Sequence, residues 1–175
     1  MGQDKASLPY RGVTLLEHVV QTVEEALGGN GTVAIVGAAN QSRIGYPVYA
    51  DEIAGCGPMG GIYTALTVSD TAWNLIAACD MPGIEPEILR TMLNRAETSQ
   101  ANCVLACNER SEPEPLCGIY HRRCLPILER ALLDKRLKLK DLIPQMGAEL
   151  VPAPTSALAN INTPGEWESL QGQAT

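Results

Sequence analysis

Apolar residues recur along this chain in two rhythms. Between Thr14 and Leu27, the residues Leu15, Leu16, Val19, Val20, Val23 and Leu27 keep helical spacing, and Gly28-Gly29 ends the run. Shorter, largely apolar runs read as strands: Thr32 to Val36, Pro47 to Ala50, Trp73 to Cys79, Cys103 to Cys107, Pro115 to Tyr120 and Glu149 to Val151. Asn40 to Gly45 is rich in turn formers. The spacing predicts further helices over Ile62 to Val68, Glu85 to Ala96, Leu125 to Leu133, Leu139 to Met146 and Pro164 to Leu170. Buried strands alternating with helices predict a three-layer α/β/α sandwich with a mostly parallel sheet. Such folds bind ligands beyond the carboxyl ends of their strands. That rule selects Gly37, Asp51 and Asp80, together with the Gly57-Pro58-Met59-Gly60-Gly61 stretch.

Length and charge narrow the picture. At 175 residues the chain is read as a single domain over positions 1–175, long enough for a substantial core. The net charge of −7 argues against nucleic acid, whose phosphates need a basic face. A mononucleotide remains compatible, since one or two cations and some backbone N–H groups suffice. The first apolar run is broken by Glu17 and His18, and no run reaches membrane-spanning length, so neither signal peptide nor membrane span is expected. The six cysteines form no CxxC pair, and Cys79, Cys103 and Cys107 sit in apolar runs. They read as buried hydrophobes in a reducing, cytoplasmic compartment.

Each candidate residue carries two readings. Asp80, directly after a buried strand and before Met81-Pro82, is either a Mg²⁺ ligand working with substrate phosphates or a cap of the following turn or helix. Lys5, near Gly2, is either a phosphate contact or a solvated cation beside Asp4. The Gly57 to Gly61 stretch suits close ligand approach or simple tight packing. Asp51 accepts from a base or ribose, or solvates a loop. Asn160 and Asn162 face substrate or help cap a helix carrying Pro164 in its first turn. Tyr120 with Arg122-Arg123 is a weaker candidate for an anionic substrate, and His18 and His121 read as structural.

The motifs Met1-Gly2-Gln3-Asp4-Lys5, Leu8-Pro9-Tyr10-Arg11-Gly12 running to Glu17-His18, Gly57-Pro58-Met59-Gly60-Gly61, Cys79-Asp80-Met81-Pro82 and Asn160-Ile161-Asn162-Thr163-Pro164 occur in that order. Together they resemble the molybdenum cofactor guanylyltransferase family across nearly the whole chain. The resemblance implies a Rossmann-like nucleotidyltransferase fold and transfer of GMP from GTP to molybdenum-bearing molybdopterin, releasing pyrophosphate. It implies GTP contacts at Gly2, Lys5, Gly37, Asp51, Gly57 and Asp80, with Lys5 and Asp80 catalytic and Mg²⁺ on Asp80. Asn160 and Asn162 would lie on the molybdopterin side. Cofactor-biosynthesis proteins and molybdoenzyme chaperones are the implied protein partners. The family pattern opens with a strand and a Leu-x-Gly-Gly-x-Ser-x-Arg stretch, whereas this sequence opens at the Met that follows. We expect an internal Met taken as the start, the natural protein being about 15 to 20 residues longer. The competing expectations are a short chain that binds without transfer, or a related cytidylyl or sugar-phosphate nucleotidyltransferase.

Overall fold

The computed structural model describes residues 5–37, 45–161 and 165–167. Lys5–Ser7 form a single 3₁₀ turn, followed by a tiny hairpin of β1 (Pro9–Tyr10) and β2 (Val13–Thr14). Helix α1 (Leu15–Leu27) then starts on a capping box: the Thr14 hydroxyl accepts from Glu17 N, and the Glu17 carboxylate accepts from Thr14 N. It ends on Gly28 in the left-handed conformation. Strands β3 (Ile35–Val36) and β4 (Val48–Tyr49) form a parallel pair.

Helix α2 (Gly57–Val68) includes the whole glycine-rich stretch, which is its first turn and not a loop before it. Gly57 opens it at φ +55°, a conformation that L side chains rarely adopt. Four strands follow in the spatial order β5 (Trp73–Ala77), β7 (Pro113–His121), β6 (Cys103–Cys107), β8 (Ala148–Pro152). Helix α3 (Pro86–Thr98) connects β5 to β6. Helix α4 (Leu125–Leu133), a 3₁₀ turn and the short α5 (Ile143–Met146) lead from β7 to β8.

The α/β class stands, but the sheet is mixed. β7 is antiparallel to both β5 and β6, while β6 and β8 are parallel. A strand buried on both faces reads as a continuous apolar run whichever way it points, so its direction was hidden. Among the described residues, β3 and β4 share no ladder with this sheet; α2 packs against β3 as well as β5 and β7.

Alternation along the strands builds two apolar layers. Val104, Ala106, Cys117 and Ile119 face Leu89, Met92 and Ala96 of α3 and Ala26 of α1. Cys103, Leu105 and Tyr120 face Met59, Ile62 and Leu66 of α2 and Leu128 of α4. A small third cluster of Tyr10, Leu15 and Ile161, joined by Trp167, ties the first segment to the last. No helix among the described residues is long and apolar enough to cross a membrane.

Candidate functional site

The site grows from the carboxyl end of β5. Its ladder with β7 closes at Ala77 against Cys117, and Ala78 N still donates to Leu116 O. The chain then turns away through Cys79-Asp80-Met81-Pro82. This turn is held backbone group by backbone group. Asp80 O accepts from Ile161 N at 2.9 Å, Met81 O from Ile84 N at 3.3 Å, and Pro82 O lies 3.1 Å from His18 Nε2. Gly83 packs so tightly on the 155–158 turn that a Cβ there would sit 2.5 Å from Ser156 O. That turn is tied in its turn to the β6–β7 loop, where the Glu109 carboxylate accepts from both the backbone N–H and the hydroxyl of Thr155.

Asp80 presents its carboxylate to Lys5, with Nζ 3.2 Å from Oδ2 and side chains 30% and 22% exposed. Both sequence candidates therefore meet, although they are far apart in the chain. The N-cap position of α3 is Glu85, so Asp80 does not cap that helix; it lies in the turn before it. Asn160 adjoins Ile161, the residue bonded to Asp80 O, and its buried Oδ1 accepts no hydrogen bond among the described residues. An orphaned buried oxygen carries a desolvation cost of about 1–3 kcal/mol unless something occupies it.

Gly37 and Asp51 lie together at the end of the β3–β4 pair, where Gly37 N donates to Tyr49 O at 2.9 Å. Asp51 is exposed, and its Oδ1 lies 3.9 Å from where a Cβ on Gly61 would stand. Thr64, fully buried on α2, accepts from Glu52 N at 2.9 Å and so fixes the residue beside Asp51. Gly2 and Asn162 lie outside the described residues.

Other candidates are displaced. Because β7 runs antiparallel to β5, its last residues pair with the start of β5, at the opposite edge from Asp80. Tyr120 is fully buried and donates its hydroxyl to Pro115 O at 2.7 Å. Arg123 is engaged with Asn102 Oδ1 and Ala101 O. His121 stacks edge-on against Trp73 and accepts from Arg123 N. No disulfide joins the six cysteines; burial pushes the Cys117 thiol up to about 12.

The sequence profile described as MobA-like NTP transferase domain matches residues 1–149. The chain belongs to this family. A relative from Carboxydothermus hydrogenoformans, named probable molybdenum cofactor guanylyltransferase, is 31% identical over 97% of this chain and 88% of its own length. Molybdopterin-guanine dinucleotide biosynthesis protein A from Archaeoglobus fulgidus shares the fold at TM-score 0.81, with 22% identity over 98% of this chain and 91% of that one. Rv0371C from Mycobacterium tuberculosis, solved in complex with manganese, aligns at TM-score 0.67 and 15% identity over 95% and 90% of the two chains. As a MobA-like NTP transferase the protein is an enzyme of the nucleotidyltransferase class.

Two positioning features of this MobA-like domain escaped the sequence reading. The capping box was visible as Thr14-x-x-Glu17. The hydrogen bond between His18 and Pro82 had no local signal, since its partners come from distant parts of the chain.

Proposed function

We propose that this enzyme transfers GMP from GTP to the terminal phosphate of molybdenum-bearing molybdopterin, forming molybdopterin guanine dinucleotide in the cytoplasm. The observation that carries the reading is the meeting of Lys5 and Asp80 beyond the carboxyl end of β5, where this fold class binds ligands; Asn160, whose oxygen is orphaned, is next in sequence to Ile161, whose N–H bonds Asp80 O. The guanylyl choice is supported by the names of the relatives that match nearly the whole chain.

Asp80 offers hard oxygen donors in a half-buried setting, which suits Mg²⁺. Among the described residues, no group of three or more His, Cys, Asp or Glu side chains converges. That matches a cation held by one carboxylate and largely by substrate phosphates and water. When bound, Mg²⁺ neutralises charge on the phosphates of GTP.

The protein's own part is positioning and charge. An acceptor phosphate oxygen forms a bond to the α-phosphorus, the bond to the bridging β-oxygen breaks, and pyrophosphate leaves. The Lys5 ammonium offsets negative charge on the phosphate oxygens, and the rigid turn keeps Asp80 within reach of it. Gly37, Asp51 and Gly57 line the nucleotide side, the last at the N-terminus of α2, where backbone N–H groups favour an anion or a carbonyl. Asn160 serves the acceptor side, and Gly2 and Asn162 are assigned to nucleotide and acceptor on the family pattern. Cofactor-biosynthesis proteins and molybdoenzyme chaperones would deliver and receive the pterin.

The test is release of pyrophosphate and formation of the dinucleotide from molybdopterin with GTP, CTP or ATP, each with and without Mg²⁺. Turnover with GTP and Mg²⁺ alone is expected. Turnover with CTP in preference to GTP would replace the guanylyl reading by the cytidylyl one.

A further inference from the structure

We infer that His18 is a positioning residue for the Asp80 carboxylate, acting through the carbonyl of Pro82. The inference rests on the site reading above, and on a connection that the reading did not use. His18 is the fourth residue of α1, with Nε2 3.1 Å from Pro82 O. A carbonyl only accepts, so Nε2 carries the proton and donates. Pro82 is buried, and a buried carbonyl without a donor is costly. The imidazole is itself fixed by an edge-on contact with Tyr10, ring centroids 4.7 Å apart.

The geometry makes His18 a hub. Tyr10 belongs to the hairpin that follows the Lys5–Ser7 turn; Leu8 N donates to Lys5 O, and Leu15 N donates to Leu8 O. One face of His18 thus contacts the segment carrying Lys5, while its Nε2 holds the far side of the turn carrying Asp80. The carbonyls of Asp80 and Met81 are bonded by Ile161 and Ile84. Removing the imidazole donor frees the turn on the α1 side alone. The carboxylate then samples positions away from Lys5 while the sheet and both large apolar layers stay as they are. A loss confined to geometry is felt in metal-nucleotide binding more than in global stability.

The experiment uses the full chain with His18→Met, which keeps length and helix propensity but no donor, and His18→Gln, which keeps an N–H donor at comparable reach; His18→Leu replaces Met if that variant does not fold. Two readouts are taken. The first, ligand-free, is amide hydrogen exchange over residues 80–84. The second is Mn²⁺ binding in the presence of GTP, followed by the Mn²⁺ resonance. Met is expected to speed exchange of 80–84 and weaken Mn²⁺ binding about tenfold, with Gln restoring both to within about twofold of the parent. Unchanged exchange with Met, or equal impairment by Met and Gln, overturns the inference. Faster exchange in the Met variant, restored by Gln, in a protein whose parent form binds no Mn²⁺ with GTP, upholds the positioning and overturns the site reading instead.

Discussion

In the proposed reaction Asp80 and Lys5 carry the chemistry, and their pairing separates charge from stability. Their ion pair is partly exposed, so it contributes only about 0–1 kcal/mol to the fold. Asp80→Asn is therefore expected to leave thermal unfolding nearly unchanged while lowering Mg²⁺-dependent transfer by about two orders of magnitude or more. Turnover equal to the parent's in a pyrophosphate-release assay would remove Asp80 from the metal role. Asn160 makes the opposite bargain with stability. Its buried Oδ1 has no partner among the described residues, so Asn160→Leu is expected to keep or raise the midpoint of unfolding while raising the KM for the pterin acceptor and sparing that for GTP. An unmoved acceptor KM would return Asn160 to a structural role. The place of Asp80 just beyond the end of β5 was legible in the sequence because the apolar run breaks off at it. Which end of the sheet Tyr120 and Arg123 occupy was not legible, because it depends on the direction of a strand, which residue type does not encode.

At the scale of elements, the start of α1 links sequence to pH. The Glu17 carboxyl is held below its ordinary range chiefly by the Thr14 backbone N–H, then by its hydroxyl. A depressed carboxylate contributes stability above its unfolded pKa and loses it as pH falls through the folded one. Glu17→Gln is thus expected to flatten the acid limb of a thermal-stability profile between about pH 6 and pH 3. Thr14→Ala, which removes the other half of the box, is expected to cost about 0.5–2 kcal/mol in chemical denaturation. Helices α1, α3 and α4 and the strand at Cys103 to Cys107 were legible because period and burial agree in them. The first turn of α2 was not: Gly57, Pro58, Gly60 and Gly61 are poor helix formers. Met59 packs against the sheet, and its burial overrides propensity there. Gly57→Ala is expected to destabilise by about 1–2 kcal/mol, since the left-handed conformation at that position penalises a Cβ. A neutral effect in the same denaturation series would show that the turn relaxes.

For the molecule as a whole, binding should report on folding. A ligand present at about 100 times its Kd stabilises by about 2.7 kcal/mol, or roughly 5–10 °C in a domain of this size. GTP with Mg²⁺ is expected to produce such a shift, and CTP or ATP a smaller one. No shift with any nucleotide, in a protein that unfolds cooperatively, would refute the nucleotide site. The strand between β5 and β6 also carries a consequence for how the molecule is made. β7 joins Trp73 to His121 on one side and Cys103 to Tyr120 on the other, so the sheet has no middle until His121 has left the ribosome. A nascent chain stopped ahead of β7 holds β5 and α3 with nothing between them and β6. Such intermediates expose strand edges to other chains and to proteases. Synthesis past His121 is then the moment at which the turn bearing Asp80 gains a rigid base, late in translation and all at once.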